Sequence, residues 1–544
     1  MSSPPEPAFD ISETAIGRIS DSYVKRRWEL SPMAATAAGV DGYDHLLDDL
    51  SPAGEDAALV LLEEFLPQVR GAVVHTQAER IAQSVMLHDL ETERAELLSR
   101  VHGHAWGVIT SVASSLSDTY SLMDVAISRE SLLARAGAVE AYLDGWFSGI
   151  MRDAEDGIVN SQHSTVEEIT QLKTMSARGM HKTLLADATP EEHAVLAHAD
   201  GALAELADRM DAQYLPLCRK ELGVGRAVYE TLATSYLGAE VDLVAAYERA
   251  IGELADVNAE MRELALSMYP ATDPAAVPAL LDEDPRYCMP NAEALKVRIE
   301  EMFQTAREAL AADFHIPHAI SRCDVVMDEN AMDASPYYQG PSEDLSRAGA
   351  MCYPVANRET FPLWREVSTV YHESIPGHHL QIGIALLERE NLTSFQRLLS
   401  WNCGYGEGWA LYAERVMDML GFLQDPADRL GYLICRALRI ARVVIDIGLH
   451  MDLPSPHGAE WSYENTVEYL IESAWLTRAG AESEINRYIA WPGQAITYKI
   501  GEEYWLAARA RAEKSGVPLV EFHERLLRSG SMPLWMLEEL SSSI

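Results

Sequence analysis

The sequence predicts a mainly α-helical protein with one small β element. Apolar residues recur at spacings of three and four along most of the chain, with Glu and Arg between them, as on the buried face of a helix. Helix-start signals such as Thr189-Pro190-Glu191-Glu192 separate these stretches. The pattern becomes short and β-like between 313 and 360, in the runs 314–317, 323–327, 337–341 and 349–357. We therefore expect two or three strands in that interval.

The length and composition allow a large hydrophobic core. The chain has 544 residues, of which 48% are hydrophobic, enough to bury extensive apolar surface. We expect a disordered tail over residues 1–9 and one large helical domain over residues 10–544. A proline-punctuated stretch at 270–290 leaves open a division into two lobes, about 10–290 and 291–544.

The charge balance bears on partners and the cysteines on location. The 84 acidic residues exceed the 43 basic ones, for a formal net charge of −41, and such a surface repels nucleic acid and anionic membranes. The six cysteines include no C-x-x-C pair, which is typical of reduced thiols. The N-terminal residues show no secretion signal, and no apolar run is long enough to span a membrane. We expect a cytoplasmic protein; its oligomeric state is left open.

One stretch carries an unusual density of metal-binding groups. His372-Glu373 is followed by His378 and His379, all within eight residues. In zinc peptidases two imidazoles bind the metal, and the Glu beside the first one activates the water that attacks the substrate. The pattern predicts a zinc site with Glu373 as the general base.

The spacing of these histidines requires a break in the helix. Six residues separate His372 from His378, whereas the usual four place both imidazoles on one helix face. Pro376-Gly377 lies between them and is expected to interrupt the helix. Such a break could bring His378, or less readily His379, beside His372. The alternative is that these histidines only cap a helix break.

A second acidic motif follows about one helix later. Glu407, 29 residues after His378, is the candidate third metal ligand and stands between Gly406 and Gly408, which allow close backbone approach. Glu414 lies seven residues further on, on the same helix face. It either orients a ligand histidine or is a solvated helix residue.

These motifs carry a family resemblance. The stretches 372–381, 406–412 and 491–501, with the opening run 30–39, resemble the bacterial family known as domain of unknown function 885, over about residues 15–540. That family looks related to mostly helical zinc peptidases, such as angiotensin-converting enzyme, thimet oligopeptidase and the Taq-type carboxypeptidases. The resemblance implies a helical body with a deep cleft, bound Zn²⁺, and a small sheet whose edge strand borders the cleft. It also favours His378 over His379, because Gly377-His378 is similar to a step common in such zinc helices.

The resemblance also directs attention to residues far downstream. The related peptidases use a Tyr or His to stabilise the oxyanion, and Tyr498, then Tyr488, fit that order. His450 is a further candidate donor, or a capping histidine. Arg487 and Lys499 could hold a substrate carboxylate, as in a carboxypeptidase, or serve internal ion pairs.

The expected function is that of a zinc-dependent hydrolase, specifically a metallopeptidase acting on short peptides. His379, Glu414, Arg487, Lys499 and Tyr488 are expected to support the ligands or contact the substrate. Two alternatives remain at this stage. The same ligands could serve a hydrolase of a non-peptide amide or ester, or the fold could be a binding protein without catalysis.

Overall fold

The computed structural model describes residues 9–121, 128–328, 336–355, 358 and 360–542. The predicted tail lies outside the described residues except for residue 9. The chain is mainly α-helical with small sheets, as the sequence predicts. Among the described residues, no helix is both long and apolar enough to cross a membrane.

The N-terminal half consists of helices joined by short connections. Thr189 caps one of them: its side chain accepts from the backbone N–H of Glu192, whose carboxylate accepts from the N–H of Thr189. The helices are α1 (Ala15–Leu30), α2 (Pro32–Ala38), α3 (Pro52–Gly71), α4 (Gln77–Ser99), α5 (Val112–Ser121), α6 (Arg129–Gly137), α7 (Val139–Glu155), α8 (Gln162–Arg178), α9 (Pro190–Arg209), α10 (Arg226–Leu237), α11 (Leu243–Met268), α12 (Val277–Glu283) and α13 (Ala292–Ala309).

A small sheet follows α13. Its strands are β2 (Cys323–Asp328), β3 (Tyr337–Gln339) and β4 (Gly349–Pro354); β4 is buried in the centre, parallel to β2 and antiparallel to β3. A separate two-residue pairing joins β1 (Cys288–Met289) to β5 (Phe361–Pro362). The predicted β-like run at 314–317 forms no strand, because the Phe314 amide bonds the Leu310 carbonyl at the end of the preceding helical turn.

The C-terminal half is again helical and carries the residues singled out in the sequence. Its elements are α14 (Val367–Glu373), α15 (His378–Leu387), α16 (Ser394–Leu398), α17 (Cys403–Met419), α18 (Pro426–Met451), α19 (Tyr463–Ala474), α20 (Arg478–Ala490), α21 (Thr497–Ser515), α22 (Leu519–Leu527) and α23 (Leu534–Ser542).

The buried apolar side chains form two separate cores. The smaller core draws on α5–α9 and includes Leu116, Phe147 and Leu203. The larger core combines α1–α4 with α10–α23 and the sheet. This arrangement sets residues 106–218 apart from the rest of the buried interior. The sequence-based division near residue 290 stays a prediction, since core membership alone does not define domains.

Candidate metal centre and its cleft

The predicted helix break is present. Helix α14 ends at Glu373 and α15 begins at His378. A Cβ at Gly377 would lie 1.9 Å from the carbonyl oxygen of His372, so the connection has room only for glycine. The indole N–H of Trp409 donates to the carbonyls of Pro376 (2.8 Å) and Gly377 (3.2 Å) and fixes the connection. Residues 374–377 therefore separate the two helices at this point.

The break brings three potential ligands together. Nε2 of His372 and Nε2 of His378 lie 3.4 and 3.5 Å from Oε2 of Glu407. One ligand atom from each of the three residues lies within 4.8 Å of the others. Two ligands of one tetrahedral zinc ion are about 3.3–3.6 Å apart, given metal–ligand distances of about 2.0–2.2 Å. Oε2 of Glu407 is buried and has no hydrogen-bond partner. The donor set and its spacing fit zinc.

Glu414 contacts the His372 side chain of this cluster. Its Oε1 lies 2.9 Å from Nδ1 of His372, and the carboxylate is buried rather than solvated. The contact sets the tautomer that turns Nε2 of His372 toward Glu407. Nδ1 of His378, in contrast, is buried without a hydrogen-bond partner.

The carboxylates make this cluster favourable for a cation. Burial lowers the pKa of His372, but the Glu373, Glu407 and Glu414 carboxylates outweigh it and raise that pKa to about 10. Burial opposes ionisation of Glu407, yet the imidazoles of His372 and His378 hold the pKa of its carboxyl well below its usual range. Burial raises the pKa of Glu373, against the charges of both histidines. A raised pKa suits a carboxylate that must accept a proton and release it again.

Glycines hold the helix of Glu407 against α21. A Cβ at Gly408 would lie 2.4 Å from the backbone of Gly501, and a Cβ at Gly501 would lie 2.0 Å from the carbonyl oxygen of Gly404. The close backbone approach predicted around Glu407 is confirmed at Gly408, whereas Gly406 meets a side chain. The approach at Gly408 places Tyr498, one turn before Gly501 on α21, next to the metal cluster: the Tyr498 and His372 rings stack at 6.2 Å.

The cluster opens into a cleft of about 790 Å³ between the two cores. One wall comes from α5 and α8 and includes Asp118 and Gln171. The opposite walls come from the sheet, from α14, α15, α17, α18, α20 and α21, and from the connections before α17 and α21. They contribute Tyr337, Tyr338, His372, Glu373, His378, Trp401, Glu407, Arg439, Arg442, Arg487, Gln494 and Tyr498. This volume is typical of a small-molecule site.

Tyr498 is surrounded by three arginines. The guanidinium carbons of Arg439, Arg442 and Arg487 lie 5.0, 4.7 and 5.8 Å from the centre of its ring. Nη2 of Arg487 also donates to the Tyr498 hydroxyl oxygen at 3.1 Å. The phenol proton is thereby left available for another acceptor.

His379 faces away from the cluster. Its ring is 1% exposed, its Nε2 lies 2.8 Å from the Ile320 carbonyl, and its Nδ1 lies 2.9 Å from the Tyr338 hydroxyl. The expectation that His379 contacts substrate is wrong, because both ring nitrogens are engaged within the interior. The residue ties α15 to strand β3.

His450 is likewise not in the cleft. Its Nε2 donates to the carbonyl of Tyr488, its Nδ1 accepts from the amide of Val224, and its ring stacks on Tyr229. Burial lowers the pKa of His450 to about 3. The predicted role as transition-state donor is wrong, since this neutral histidine is a structural link between elements.

Two further candidates also lie outside the cleft. Lys499 points to the far side of α21, where its ammonium pairs with Glu253, Glu502 and Glu503. The hydroxyl of Tyr488 donates to Glu484 within the interior. Lys499 therefore cannot hold a substrate carboxylate, and Tyr488 cannot act as oxyanion donor.

Several cleft residues were not predicted from the sequence. Trp401 is 44% exposed, and its ring lies 5.9 Å from that of His378. Gly406 leaves space for this ring, because a Cβ there would lie 2.4 Å from it. A tryptophan just before the Gly-Glu-Gly helix was a usable signal. Gln494, which accepts from Arg487, gave none, since its position depends on the turn before α21.

The comparisons with known proteins concern family and fold. A crystal structure of a protein from Colwellia psychrerythraea, named as a candidate lipoprotein, has a TM-score of 0.81 at 20% identity, covering 97% of this chain and 99% of that one. A candidate lipoprotein of unknown function from Shewanella oneidensis has a TM-score of 0.70 at 19% identity, covering 96% and 99%. No curated protein matches the sequence. The model of the family described as bacterial protein of unknown function DUF885 matches residues 32–540. The chain therefore belongs to the DUF885 family.

Proposed function

We propose that this protein is a zinc-dependent hydrolase that cleaves a peptide bond in short peptides. The observation that carries the proposal is the convergence of His372, His378 and Glu407, with ligand atoms within 4.8 Å, at the wall of a cleft. The buried carboxyl of Glu373 directly follows one ligand and lines the same cleft. A binding protein would need the ligands but would have no use for an acid–base group beside them.

The proposed chemistry assigns each residue one task. Zinc, when bound, lowers the pKa of a coordinated water and polarises the substrate carbonyl. Glu373 accepts a proton from the water while the water oxygen forms a bond to the carbonyl carbon. Glu373 then delivers that proton to the amide nitrogen as the carbon–nitrogen bond breaks. Glu414 keeps His372 in its ligating orientation throughout.

Tyr498 is the proposed oxyanion donor. Its ring packs beside His372, and Arg487 donates to its oxygen, which leaves the phenol proton free to point to the substrate. A donor aimed at the developing negative charge lowers the barrier selectively for the transition state. Arg487 strengthens the donor by polarising the hydroxyl.

The cleft favours short, extended substrates. Strand β3 forms one edge of the three-stranded sheet, and both Tyr337 and Tyr338 line the cleft. An extended peptide could add to such an edge through its backbone groups. The volume of about 790 Å³ corresponds to a few residues rather than to a folded protein.

The direct test is peptide hydrolysis by the zinc-loaded protein and by Glu373→Gln. A mixed library of short peptides is incubated with each, and the products are identified by mass spectrometry. We expect cleavage by the wild type and a loss of at least a hundredfold in rate for Glu373→Gln, with zinc retained. Equal activity in both proteins would refute Glu373 as the base; absence of cleavage by the zinc-loaded wild type would refute the peptidase proposal.

A reducing compartment remains part of the proposal. The cysteines at 218, 288, 323, 352, 403 and 435 are all unpaired in the described structure, as is usual in the cytoplasm. The two similar structures belong to proteins named as candidate lipoproteins. Fractionation of cells expressing the native protein would distinguish a cytoplasmic protein from a lipoprotein attached to a membrane.

A further inference from the structure

Three guanidinium groups of the cleft surround Tyr498, and only one of them is hydrogen-bonded to a carboxylate. Arg442 is paired with Glu484 through two hydrogen bonds of 2.9 and 2.8 Å. Arg487 bonds only neutral groups, the side chains of Gln494 and Tyr498. Arg439 makes no hydrogen bond or ion pair with another described residue and lies over the Tyr498 ring. Glu484 thus bonds directly to only one of the three guanidinium groups.

Each of these arginines also has an unused donor. Nε of Arg439, Nε of Arg487 and Nη1 of Arg442 are buried and have no hydrogen-bond partner. Arg442 as a whole is only 2% exposed. Leaving such charged donors unpaired in the interior costs free energy, unless a ligand engages them. Three arginines with such donors surround the ring of Tyr498.

We propose that Arg439, Arg442 and Arg487 form a subsite for the C-terminal carboxylate of the peptide substrate, an inference that rests on the proposed function. Guanidinium groups match the planar carboxylate and bind it by paired hydrogen bonds. All three share Tyr498 as a neighbour, and that ring stacks on His372. A carboxylate held there would lie about one to three residues along the peptide from the bond that is cleaved, at about 3.3–3.6 Å per extended residue.

The subsite replaces the one expected from sequence. Lys499 was the predicted partner of Arg487, but it pairs with glutamates outside the cleft. Arg439 and Arg442, three residues apart on α18, supply the positive charge instead. Asp446, one turn further along, is directed elsewhere: it accepts from Tyr229 and from the amide of Gly493.

The test compares a peptide acid with its amide. Acetyl-Ala-Ala-Phe and acetyl-Ala-Ala-Phe-amide are titrated into zinc-loaded Glu373→Gln protein by calorimetry, so that binding is measured without turnover. We expect the acid to bind at least tenfold more tightly. Adding Arg439→Gln should weaken the acid at least tenfold and leave the amide unchanged, while Arg439→Lys should restore part of the preference. Acetyl-Ala-Ala-Glu-amide shows whether a side-chain carboxylate serves as well as the C-terminus.

Arg436 provides the matched control. It lies three residues before Arg439 on α18 but outside the cleft, against the ring of Tyr432. Arg436→Gln should leave the affinities of both peptides unchanged. If the peptide carboxylate binds the zinc ion directly, the acid will still bind more tightly than the amide in Arg439→Gln. If Arg439 acts only through Glu373, its replacement will not change the affinities of the acid and the amide differently. Either result would overturn the subsite.

The outcomes separate this inference from the proposed function. Cleavage and binding of both peptides without preference for the acid would overturn the subsite and leave the peptidase proposal standing. An Arg439-dependent preference for the acid, with no cleavage by the wild type, would support the subsite and overturn the peptidase proposal. Failure of both peptides to bind and be cleaved would overturn both.

Discussion

Nδ1 of His372 lies 2.9 Å from Oε1 of Glu414, although 42 positions separate the two residues in the chain. The contact joins α14 to α17 and leaves Nε2 of His372 directed at Glu407. It thereby links the two motifs that the sequence presents separately. The geometry of the metal cluster therefore depends on this carboxylate as well as on the ligands themselves.

Loss of Glu414 is therefore expected to weaken zinc binding. Glu414→Ala should lower the zinc affinity about 10–100-fold, because His372 loses the partner that fixes its tautomer and ring orientation. Affinity is measured by competition with a chelator. Glu373→Gln, which removes a nearby charge but no contact to a ligand, should lose less zinc affinity than Glu414→Ala. Unchanged zinc affinity in Glu414→Ala would show that His372 is oriented by other means.

The connection between α14 and α15 is expected to tolerate only glycine at position 377. In Gly377→Ala the new Cβ would overlap the His372 carbonyl oxygen, so α14 or α15 must move. We expect a drop in zinc affinity of at least tenfold. Gly201→Ala on α9 is the control, because its Cβ meets nothing within 4 Å. Wild-type zinc affinity in Gly377→Ala would contradict the proposed role of the break.

The close packing of α17 on α21 is expected to make the protein sensitive to a larger side chain at Gly408. Gly408→Ala places a methyl group against the backbone of Gly501, and such overpacking costs about 1–3 kcal/mol. Gly406→Ala meets only the side chain of Trp401, which is partly exposed and can rotate, so its cost should be smaller. Urea unfolding of both variants provides the comparison. Equal destabilisation would mean that the backbone contact is not the limiting one.

Much of the helical architecture could be predicted from the sequence, because its signals are local. The capping box at Thr189 and the break at Pro376-Gly377 each depend on residues within one or two helical turns. The strands at 323, 337 and 349 likewise have local patterns. The run at 314–317 is the exception, because the Phe314 amide bonds the Leu310 carbonyl and extends the preceding helical end, which its β-like composition does not reveal.

The metal ligands could be predicted because they lie in sequence motifs. Which other residues reach the cleft could not be predicted, because the direction of their side chains decides it. His372, His378 and Glu407 converge because the Pro-Gly break and the glycines of α17 are written beside them. Lys499 and Tyr498 are adjacent in sequence but point in directions about 100° apart around α21, and only Tyr498 lines the cleft. Which face meets the cleft is set by packing against α17, information that is absent from either residue's own neighbourhood.

His450 gives a prediction on acid stability. Burial lowers its pKa in the folded protein to about 3, against about 6.5 when unfolded. The unfolded state therefore binds more protons between these values, and the stability present above pH 6.5 is lost as the pH falls. Relative to His450→Gln, the wild type should lose up to about 1.4 kcal/mol per pH unit in that window.

Unfolding in urea at pH 7.5, 6, 5 and 4 measures this difference. The same variant should keep the peptide hydrolysis of the wild type at neutral pH, since His450 does not line the cleft. Parallel pH profiles for the two proteins would show that His450 is not held neutral. Loss of hydrolysis by a folded His450→Gln protein would return this residue to the active site.

The central claim is that His372, His378 and Glu407 bind one zinc ion. Metal analysis of the purified wild type beside His372→Ala, His378→Ala and Glu407→Gln tests it most directly, with His379→Ala as the matched control outside the cluster. We predict about one zinc per chain in the wild type and in His379→Ala, and its loss in the other three variants. Absence of zinc from the wild type after incubation with the metal, or its retention in His378→Ala, would contradict the account.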